Sequence, residues 1–283
     1  MYDVSNKTRV VVFLAKHHRT WHQSSYEKRL RNGRGQGEGA EYIPWITVQD
    51  FSSYGSASRV KGWKTERVHH FMSKWELRYF YLLEWADNVL DIREQYPLLD
   101  VFRTVDIAKR ADIRHPTDRK SGFPFVLTSD FFIETTNGFA ARTVKMSDEL
   151  ANPRVLEKLE IERRFWNENG IDWRLVTDKE IRIQRASNIA WVHTAMSLDG
   201  FQFDSMTRSV FLKELMWQLQ ETTLPIATIC TRFDQSNGVP AGTGLLLAKH
   251  LIANKKVHFD LDAPIDLSAT RSKPNKPRMR VAV

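Results

Sequence analysis

VLTSDFFIETTNGFAARTVKM, residues 126–146, is the clearest structural signal in this chain of 283 amino acids. Two runs rich in apolar and β-branched residues flank the dipeptide Asn137-Gly138, and this arrangement is the strongest short-range indication of a β-hairpin. A two-residue loop at that dipeptide predicts that Asp130 lies directly opposite Lys145 on the neighbouring strand. The hairpin therefore brings a carboxylate and an ammonium group side by side.

The sequence on either side of the hairpin extends it into a larger α/β domain. Upstream, SKWELRYFYLLEWADNVL from Ser73 lacks Gly and Pro and predicts a buried helix, while VLDIREQYPLL predicts a strand that stops at Pro97. Downstream, residues 153–169 predict a charged amphipathic helix, and DWRLVTD predicts a further strand. This order of elements predicts a mixed sheet flanked by helices, which we assign to residues 41–181.

Beyond residue 181 the sequence changes to short helical segments. SVFLKELMWQLQ, PIATICTRFD and GTGLLLAKHLIANKK are followed by the strand-like VHFDLD. Helix, helix, helix and wing is the order of a winged-helix module, although three short helices also occur in unrelated folds. We therefore assign residues 182–270 to a helical, winged-helix-like domain.

The two ends of the chain are basic and lack a clear hydrophobic period. Residues 1–40 include a glycine-rich segment and predict a partly flexible N-terminal arm. No Gly-Lys-Ser/Thr sequence follows these glycines, which argues against a phosphate-binding P-loop. Residues 271–283, RSKPNKPRMRVAV, predict a basic tail that is disordered unless a partner holds it.

The net charge of +8 is distributed unevenly along the chain. Residues 1–80 carry a net charge of +7 and residues 271–283 carry +5, whereas residues 81–270 carry −4. This distribution favours a polyanion as the partner of the two ends, and a basic surface that only aids solubility is the alternative.

Composition excludes several classes of protein. No apolar run approaches the roughly 20 residues that a membrane-spanning helix needs, so we expect neither a membrane anchor nor a secretory signal. Cys230 is the single cysteine, which excludes an internal disulfide, a zinc site built from cysteines and a Cys-x-x-Cys redox pair. We expect a protein of a reducing, cytoplasmic compartment.

Three residues match the needs of metal-dependent phosphodiester hydrolysis. Asp130 and Glu76 supply acidic oxygens for Mg²⁺, which binds only one or two protein carboxylates, and Lys145 supplies a positive charge for the reacting phosphate. An Asp and a Lys on neighbouring strands, with a Glu on a preceding helix, is the arrangement of restriction-endonuclease-like nucleases. Each residue also has a structural explanation: a surface ion pair between Asp130 and Lys145, and a capping box in Ser73-x-x-Glu76.

Residues 33–181 also contain a series of long, unusual blocks: GRGQGEGAEYIPWITVQD, KTERVHHFMSKWEL, LEWADNVLDIREQYPLL, TSDFF, TVK, LEKLEIERRFW and TDKEI. In this order they resemble the TnsA family, the endonuclease subunits of heteromeric transposases that also contain TnsB and TnsC. The resemblance implies a fold similar to that of type II restriction enzymes. It also implies DNA cleavage at the 5′ ends of a transposon with Mg²⁺, for which Mn²⁺ can substitute.

The resemblance assigns roles to particular residues. The family's catalytic Glu, Asp and Lys fall on Glu76, Asp130 and Lys145, and the two acids are expected to hold the metal. Thr143 stands where many such nucleases have an acid and TnsA proteins have Gln, so we expect its main-chain carbonyl to reach the metal as well. Glu162, in the LEKLEIERR block, lies in the outer shell of the metal site or is a solvated helix charge.

The resemblance also implies partners: the DNA of the transposon ends, a TnsB-like DDE transposase that cuts and joins the 3′ ends, and a TnsC-like AAA+ ATPase regulator. We predict a bacterial, cytoplasmic DNA endonuclease that acts inside this complex. The alternatives are an adaptor that bridges transposase and ATPase without cutting, and an independent restriction or repair nuclease. The predicted DNA contacts are basic residues towards the two ends: Arg31, Arg34, Lys61, Lys64, Arg271 and Lys273.

The uneven charge gives a first testable prediction. If the ends hold phosphates through Lys and Arg, the logarithm of the DNA-binding constant should fall linearly with the logarithm of the salt concentration. Deleting residues 271–283 should then flatten that slope, and binding titrations at several salt concentrations measure it. An unchanged slope would show that the tail does not contact DNA.

Overall fold

The computed structural model of the chain describes residues 20–50 and 56–270. The first part of the predicted N-terminal arm and the whole predicted tail, with Arg271 and Lys273, lie outside the described residues. Within the part that is described, no helix combines the length and the apolar character that crossing a membrane requires.

The chain divides into two compact units, and the first contains the residues up to Leu77 together with Asp87–Asp178. The predicted boundaries at residues 41–181 and 182–270 stay predictions. The first unit holds, in chain order, α1 (Gln23–Arg31), β1 (Ser58–Lys61), β2 (Val68–Phe71), the start of α2 (Lys74–Trp85), β3 (Val89–Pro97), α3 (Val101–Arg110), β4 (Thr128–Thr135), β5 (Gly138–Lys145), α4 (Pro153–Glu168) and β6 (Asp172–Thr177).

Four of these strands form a single sheet in the order β3-β4-β5-β6. β3, β4 and β5 are antiparallel, whereas β5 and β6 are parallel and are connected through α4. The predicted mixed sheet with flanking helices is therefore confirmed. α3 was not predicted, although Asp100 caps it by accepting the Arg103 N–H at 3.1 Å.

The hairpin turns one residue earlier than the sequence predicted. Thr135 pairs with Gly138, so the two residues between them form the loop. The Thr135 hydroxyl donates to the Gly138 carbonyl at 2.8 Å, which closes the turn at this position. The predicted register, with Asp130 directly opposite Lys145, is therefore wrong.

Both faces of the hairpin strand β4 are covered. Phe132 belongs to a core with Ile107 of α3 and Trp166 of α4. Its neighbour Phe131 faces the other side, because successive strand residues alternate, and there it meets Phe71 of β2 with ring centroids 6.1 Å apart. Ser129 and Asp130 of this strand are consequently shielded from water.

Residues 20–50 pack against the rest of the first unit, although the sequence predicted a partly flexible arm up to residue 40. α1 lies in this segment, and the rings of Trp21 and Tyr26 contact Trp45. The indole N–H of Trp21 also donates to the Pro124 carbonyl at 2.9 Å. The prediction of flexibility is wrong here because these aromatic residues find partners that are distant in sequence.

The segment 33–45 covers the free edge of β3. The Trp45 N–H donates to the Gln95 carbonyl at 3.3 Å. Gly35 has a φ of +74°, and a Cβ atom at this position would lie 2.3 Å from the ring of Pro97, so only glycine fits. The glycine-rich segment therefore protects a sheet edge from further strand pairing.

A buried ion cluster joins β2 to β3. The fully buried carboxylate of Glu94 accepts hydrogen bonds from Arg67 at 2.8 and 2.5 Å, and a ring nitrogen of His69 lies 2.7 Å away. Burial alone would raise the pKa of Glu94, but His69 and Arg67 outweigh it and hold the pKa far below its usual range. This compensated charge fixes β2, and with it the start of α2, against the sheet.

The second unit contains Arg78–Ala86 and the residues from Lys179 onward, and its described part is helical. It holds the end of α2, followed by α5 (Ile183–His193), α6 (Ser205–Glu221), α7 (Ile226–Ser236) and α8 (Thr243–Ala253). The three helices predicted here correspond to α6, α7 and α8 and are confirmed, whereas α5 was not predicted.

The predicted wing strand in VHFDLD is wrong, because residues 257–262 form no strand. Val257 and Leu261 of this segment are buried. The apolar residues of this segment are therefore buried by packing and not by pairing with another strand. The likeness to a winged helix stays a prediction.

Removing the guanidinium of the ion cluster tests its structural role. Arg67→Met leaves Glu94 buried with His69 as its remaining ionic partner and should destabilise the protein by about 3 kcal/mol or more, measured by urea denaturation. Arg163→Met removes an exposed ion pair with Glu160 on α4 and should cost less than about 1 kcal/mol. Similar losses in the two variants would show that the cluster does not hold β2 in place.

Candidate active site

Asp130 lies where β4 and β5 separate. The last residue pair of their ladder joins Phe131 to Arg142, and beyond it Oδ2 of Asp130 accepts the Val144 N–H at 2.7 Å. The same oxygen lies 3.3 Å from Nζ of Lys145. The side chain of Asp130 thus replaces a main-chain partner of β5, and this contact brings it to Lys145 despite the shifted register.

The pair of Asp130 and Lys145 is not a surface ion pair. Asp130 is only 8% exposed, and the Lys145 side chain is 28% exposed. Burial would lower the pKa of Lys145, but the negative charges of Asp130, Glu76 and Glu162 outweigh it and raise the pKa above its ordinary value. Lys145 is therefore a fixed cation at neutral pH.

Glu76 lies in the first turn of α2 and combines its two predicted roles. Its N–H donates to the Ser73 hydroxyl at 3.1 Å. Its Oε2 accepts the Met72 N–H at 3.0 Å, whereas in the usual capping box it would accept the N–H of Ser73. The same Oε2 accepts a hydrogen bond from Nε2 of Gln95 at 3.2 Å. Capping aims the carboxylate of Glu76 into the site.

Gln95 brings the two acids together. Its Nε2 lies 3.2 Å from Oε2 of Glu76 and 3.4 Å from Oδ1 of Asp130, so both carboxylates share one donor. Burial, and then the charge of Asp130, raise the pKa of Glu76 to about 7. A buried pair of acids with so little compensating positive charge is typical of a functional site.

Glu162 of α4 is buried, so the alternative of a solvated helix charge is wrong. Its Oε1 accepts hydrogen bonds from the hydroxyls of Ser129 and Thr143 and, at 3.0 Å, from the indole of Trp173. Burial and the charge of Asp130 raise the pKa of Glu162 to about 7. The sequence held a signal for this burial, since Glu162 shares the helical spacing of the apolar residues on α4.

The main chain beside Lys145 offers one carbonyl to the site. Val144 N–H points at Asp130, and the described residues contain no cis peptide bond, so the carbonyl of Thr143 points the opposite way. The carbonyl of Val144 instead accepts a hydrogen bond from Nζ of Lys145 at 2.9 Å. The assignment of the Thr143 carbonyl as a metal ligand stays a prediction.

Gln95 is the residue of the site that no sequence pattern indicated. It sits inside a strand pattern that gives a glutamine no special meaning, and its importance follows only from contacts with α2 and β4.

Within the described residues, no group of three or more His, Cys, Asp and Glu side chains is arranged to hold a metal. The two carboxylates of Glu76 and Asp130 match the smaller number that Mg²⁺ takes from a protein.

The predicted DNA contacts have different surroundings. Arg31 and Lys61 are exposed, and Lys64 is half-buried. Arg34 forms an ion pair with Asp50 at 2.5 Å, so its charge is largely committed inside the protein. Arg271 and Lys273 lie outside the described residues, and the role of all these residues in DNA binding stays a prediction.

The raised pKa of Glu162 makes stability depend on pH. The folded protein holds a proton on Glu162 between pH 4.5 and about 7, so in metal-free buffer stability should fall as the pH rises through this window. Glu162→Gln should reduce that fall and stabilise the protein at pH 8 by roughly 3 kcal/mol. Thermal unfolding from pH 4 to 8 with a chelator present measures both effects.

Glu160 provides a control on the same helix. Hydrogen bonds from Arg163 and Arg164 outweigh desolvation and lower the pKa of Glu160 to about 2, so Glu160→Gln should not stabilise the protein at pH 8. The prediction fails if Glu162→Gln unfolds at the same temperature as the unmodified chain at pH 8.

Comparisons with known proteins find related sequences along most of the chain. The family model described as TnsA-like endonuclease N terminal matches residues 86–178, and the model described as TnsA endonuclease C terminal matches residues 180–261. The chain is similar to the transposon Tn7 transposition protein TnsA of Escherichia coli, with 37% identity over 253 residues, which cover 88% of this chain and 90% of that protein. The chain therefore belongs to the TnsA family of transposase endonuclease subunits.

Proposed function

We propose that this protein is a Mg²⁺-dependent DNA endonuclease that cleaves the 5′ ends, the non-transferred strands, of a transposon during cut-and-paste transposition. The observation that carries the proposal is the buried pair of Glu76 and Asp130 around one shared donor, with the ammonium group of Lys145 3.3 Å from Asp130. Two acids and a lysine in this arrangement supply what metal-dependent phosphodiester hydrolysis requires.

Glu76 and Asp130 would hold the metal ion. Their oxygens are hard ligands. Burial, and then the charge of Asp130, raise the pKa of Glu76, and a divalent cation would favour the ionised form of both acids. The main-chain carbonyl of Val144 is better placed than that of Thr143 to add a ligand, because the Thr143 carbonyl points away from Asp130. A bound Mg²⁺ polarises the phosphate and lowers the pKa of a coordinated water molecule. Mn²⁺ has similar ligand preferences and is expected to substitute.

Lys145 acts through its charge. Its raised pKa keeps the ammonium group protonated at neutral pH, which excludes a role as general base. A cation held beside Asp130 can stabilise the negative charge that grows on the phosphate as the P–O bond breaks. Asp130 positions this cation through the contact at 3.3 Å.

Glu162 supports the site by binding residues next to it in the chain. Its carboxylate binds the hydroxyls of Ser129 and Thr143, which directly precede Asp130 and Val144 in the chain. By holding these two neighbours, Glu162 fixes the strand ends that present the Asp130 carboxylate and the Val144 main chain. We therefore place Glu162 in the outer shell of the metal site.

The proposed partners are transposon-end DNA, a TnsB-like DDE transposase and a TnsC-like AAA+ ATPase. Support comes from the similarity to a protein described as the Tn7 transposition protein TnsA. Exposed basic residues such as Arg31 and Lys61 would hold phosphates without reading bases, so the partners would supply the target. The purified chain alone is expected to cleave DNA poorly.

Removing one carboxylate tests the proposal. Asp130→Ala should reduce 5′-strand cleavage to background in a reaction reconstituted with the transposase and ATPase partners, because it removes both a metal ligand and the anchor of Lys145. Assembly on transposon ends, followed by native gel electrophoresis, should be unchanged. Asp148→Ala removes an exposed acid just after β5 and should leave cleavage intact.

Three outcomes would contradict the proposal. Cleavage by the Asp130→Ala protein at the rate of the unmodified chain would show that the site lies elsewhere. The adaptor alternative predicts that calorimetry finds no Mg²⁺ or Mn²⁺ binding that depends on Asp130. Unaided cleavage of naked DNA by the purified chain would instead favour an independent nuclease.

A further inference from the structure

Gln95 has a backbone conformation that is unusual for its place in the fold. Four described residues other than glycine have a positive φ, and Gln95, at +48°, is the one of them that lies within a strand. The left-handed region is unfavourable for a residue with a side chain, so the surrounding structure must hold Gln95 there. Such strain inside a sheet often marks a functional position.

The strained residue lies where the strand changes faces. Glu94 contacts Arg67 on the side of β2, whereas Tyr96 stacks on Phe132 on the side of α4, with ring centroids 4.4 Å apart. In a regular strand Glu94 and Tyr96 would share one face. The left-handed turn at Gln95 therefore interrupts the alternation and leaves its side chain free to reach the site.

The orientation of the Gln95 amide is fixed by its partners. Oε1 accepts a hydrogen bond from the Thr128 hydroxyl at 3.3 Å, and Nε2 donates to Glu76 at 3.2 Å and to Asp130 at 3.4 Å. With its oxygen on the Thr128 hydroxyl, the amide turns its nitrogen towards the two acids and can donate one hydrogen to each. The main chain is held as well, by the Trp45 N–H on the Gln95 carbonyl.

We propose that Gln95 is a positioning residue, which holds the carboxylates of Glu76 and Asp130 in the relative arrangement that binds the divalent cation. The inference rests on the proposed function, since it assigns Gln95 to the same metal site. Gln95 itself binds neither DNA nor metal in this role. Its amide orients one oxygen of each acid, and its strained backbone keeps the amide between them.

Two variants separate positioning from a structural role. Gln95→Gly removes the amide and also relieves the strain at a positive φ, whereas Gln95→Met keeps the size of the side chain and removes the donor. Loss of a group that orients metal ligands typically weakens metal binding about 10-fold to 100-fold. Both variants should therefore bind Mn²⁺ at least about tenfold more weakly, measured by calorimetry on the full chain without DNA.

Thermal unfolding with a chelator present supplies the second measurement. Gln95→Gly should unfold at a temperature no lower than that of the unmodified chain, because relief of strain offsets the lost hydrogen bonds. Gln36→Met is the matched control: the Gln36 amide donates to the Leu30 carbonyl at 2.9 Å, and its loss should leave the Mn²⁺ affinity unchanged.

Each result decides between the possibilities. Mn²⁺ affinity within twofold of the unmodified chain in either Gln95 variant would overturn the inference. A much lower unfolding temperature for Gln95→Gly would overturn it too, because weak binding would then follow from a weakened fold. Asp130→Asn, measured in parallel, tests the metal site itself: if this variant binds Mn²⁺ normally, the proposed function fails and the inference about Gln95 fails with it.

Discussion

The repulsion between two buried carboxylates is the constraint around which the first unit is organised. Glu76 comes from a helix and Asp130 from a strand, and neither acid is exposed enough for water to screen it. Main-chain N–H groups, the amide of Gln95 and the ammonium group of Lys145 reduce this cost without removing it. Burial, and then the charge of Asp130, still raise the pKa of Glu76 to about 7.

Glu94 shows what the same sheet does with an acid whose role is structural. It is more deeply buried than Glu76, but His69 and two hydrogen bonds from Arg67 outweigh burial and drive its pKa down. Glu94 and Gln95 are consecutive residues of β3. The carboxylate of Glu94, whose charge is compensated, anchors β2, whereas the amide of Gln95 contacts Glu76 and Asp130, whose charges are compensated only in part. The extent to which hydrogen bonds and positive charges compensate a buried carboxylate therefore distinguishes a structural acid from a functional one more clearly than burial does.

The sequence predicted the meeting of Asp130 and Lys145 although it misplaced the turn. Moving the turn by one residue shifts the pairing by two, so Lys145 moves from directly opposite Asp130 to two positions beyond the residue opposite it. A shift of two keeps the same parity along β5, and Lys145 stays on the same face. Glu76 was within reach of sequence reasoning because capping and site roles do not exclude each other. The contacts of Gln95 and Glu162 could not be predicted, because they depend on how β3, α2 and α4 meet in three dimensions.

If the chain cleaves DNA as proposed, the charge of the site requires that DNA is held by basic residues elsewhere in the chain. With Glu76 and Asp130 ionised, a single ammonium group at Lys145 leaves the site negative, and a phosphodiester approaching it is repelled. A bound divalent cation reverses that sign. Residues such as Arg31 and Lys61 would then hold DNA through phosphates away from the acids, so that retention of DNA does not depend on the metal. An arrangement of this kind would separate binding from cleavage, in line with the proposal that the chain alone cleaves DNA poorly.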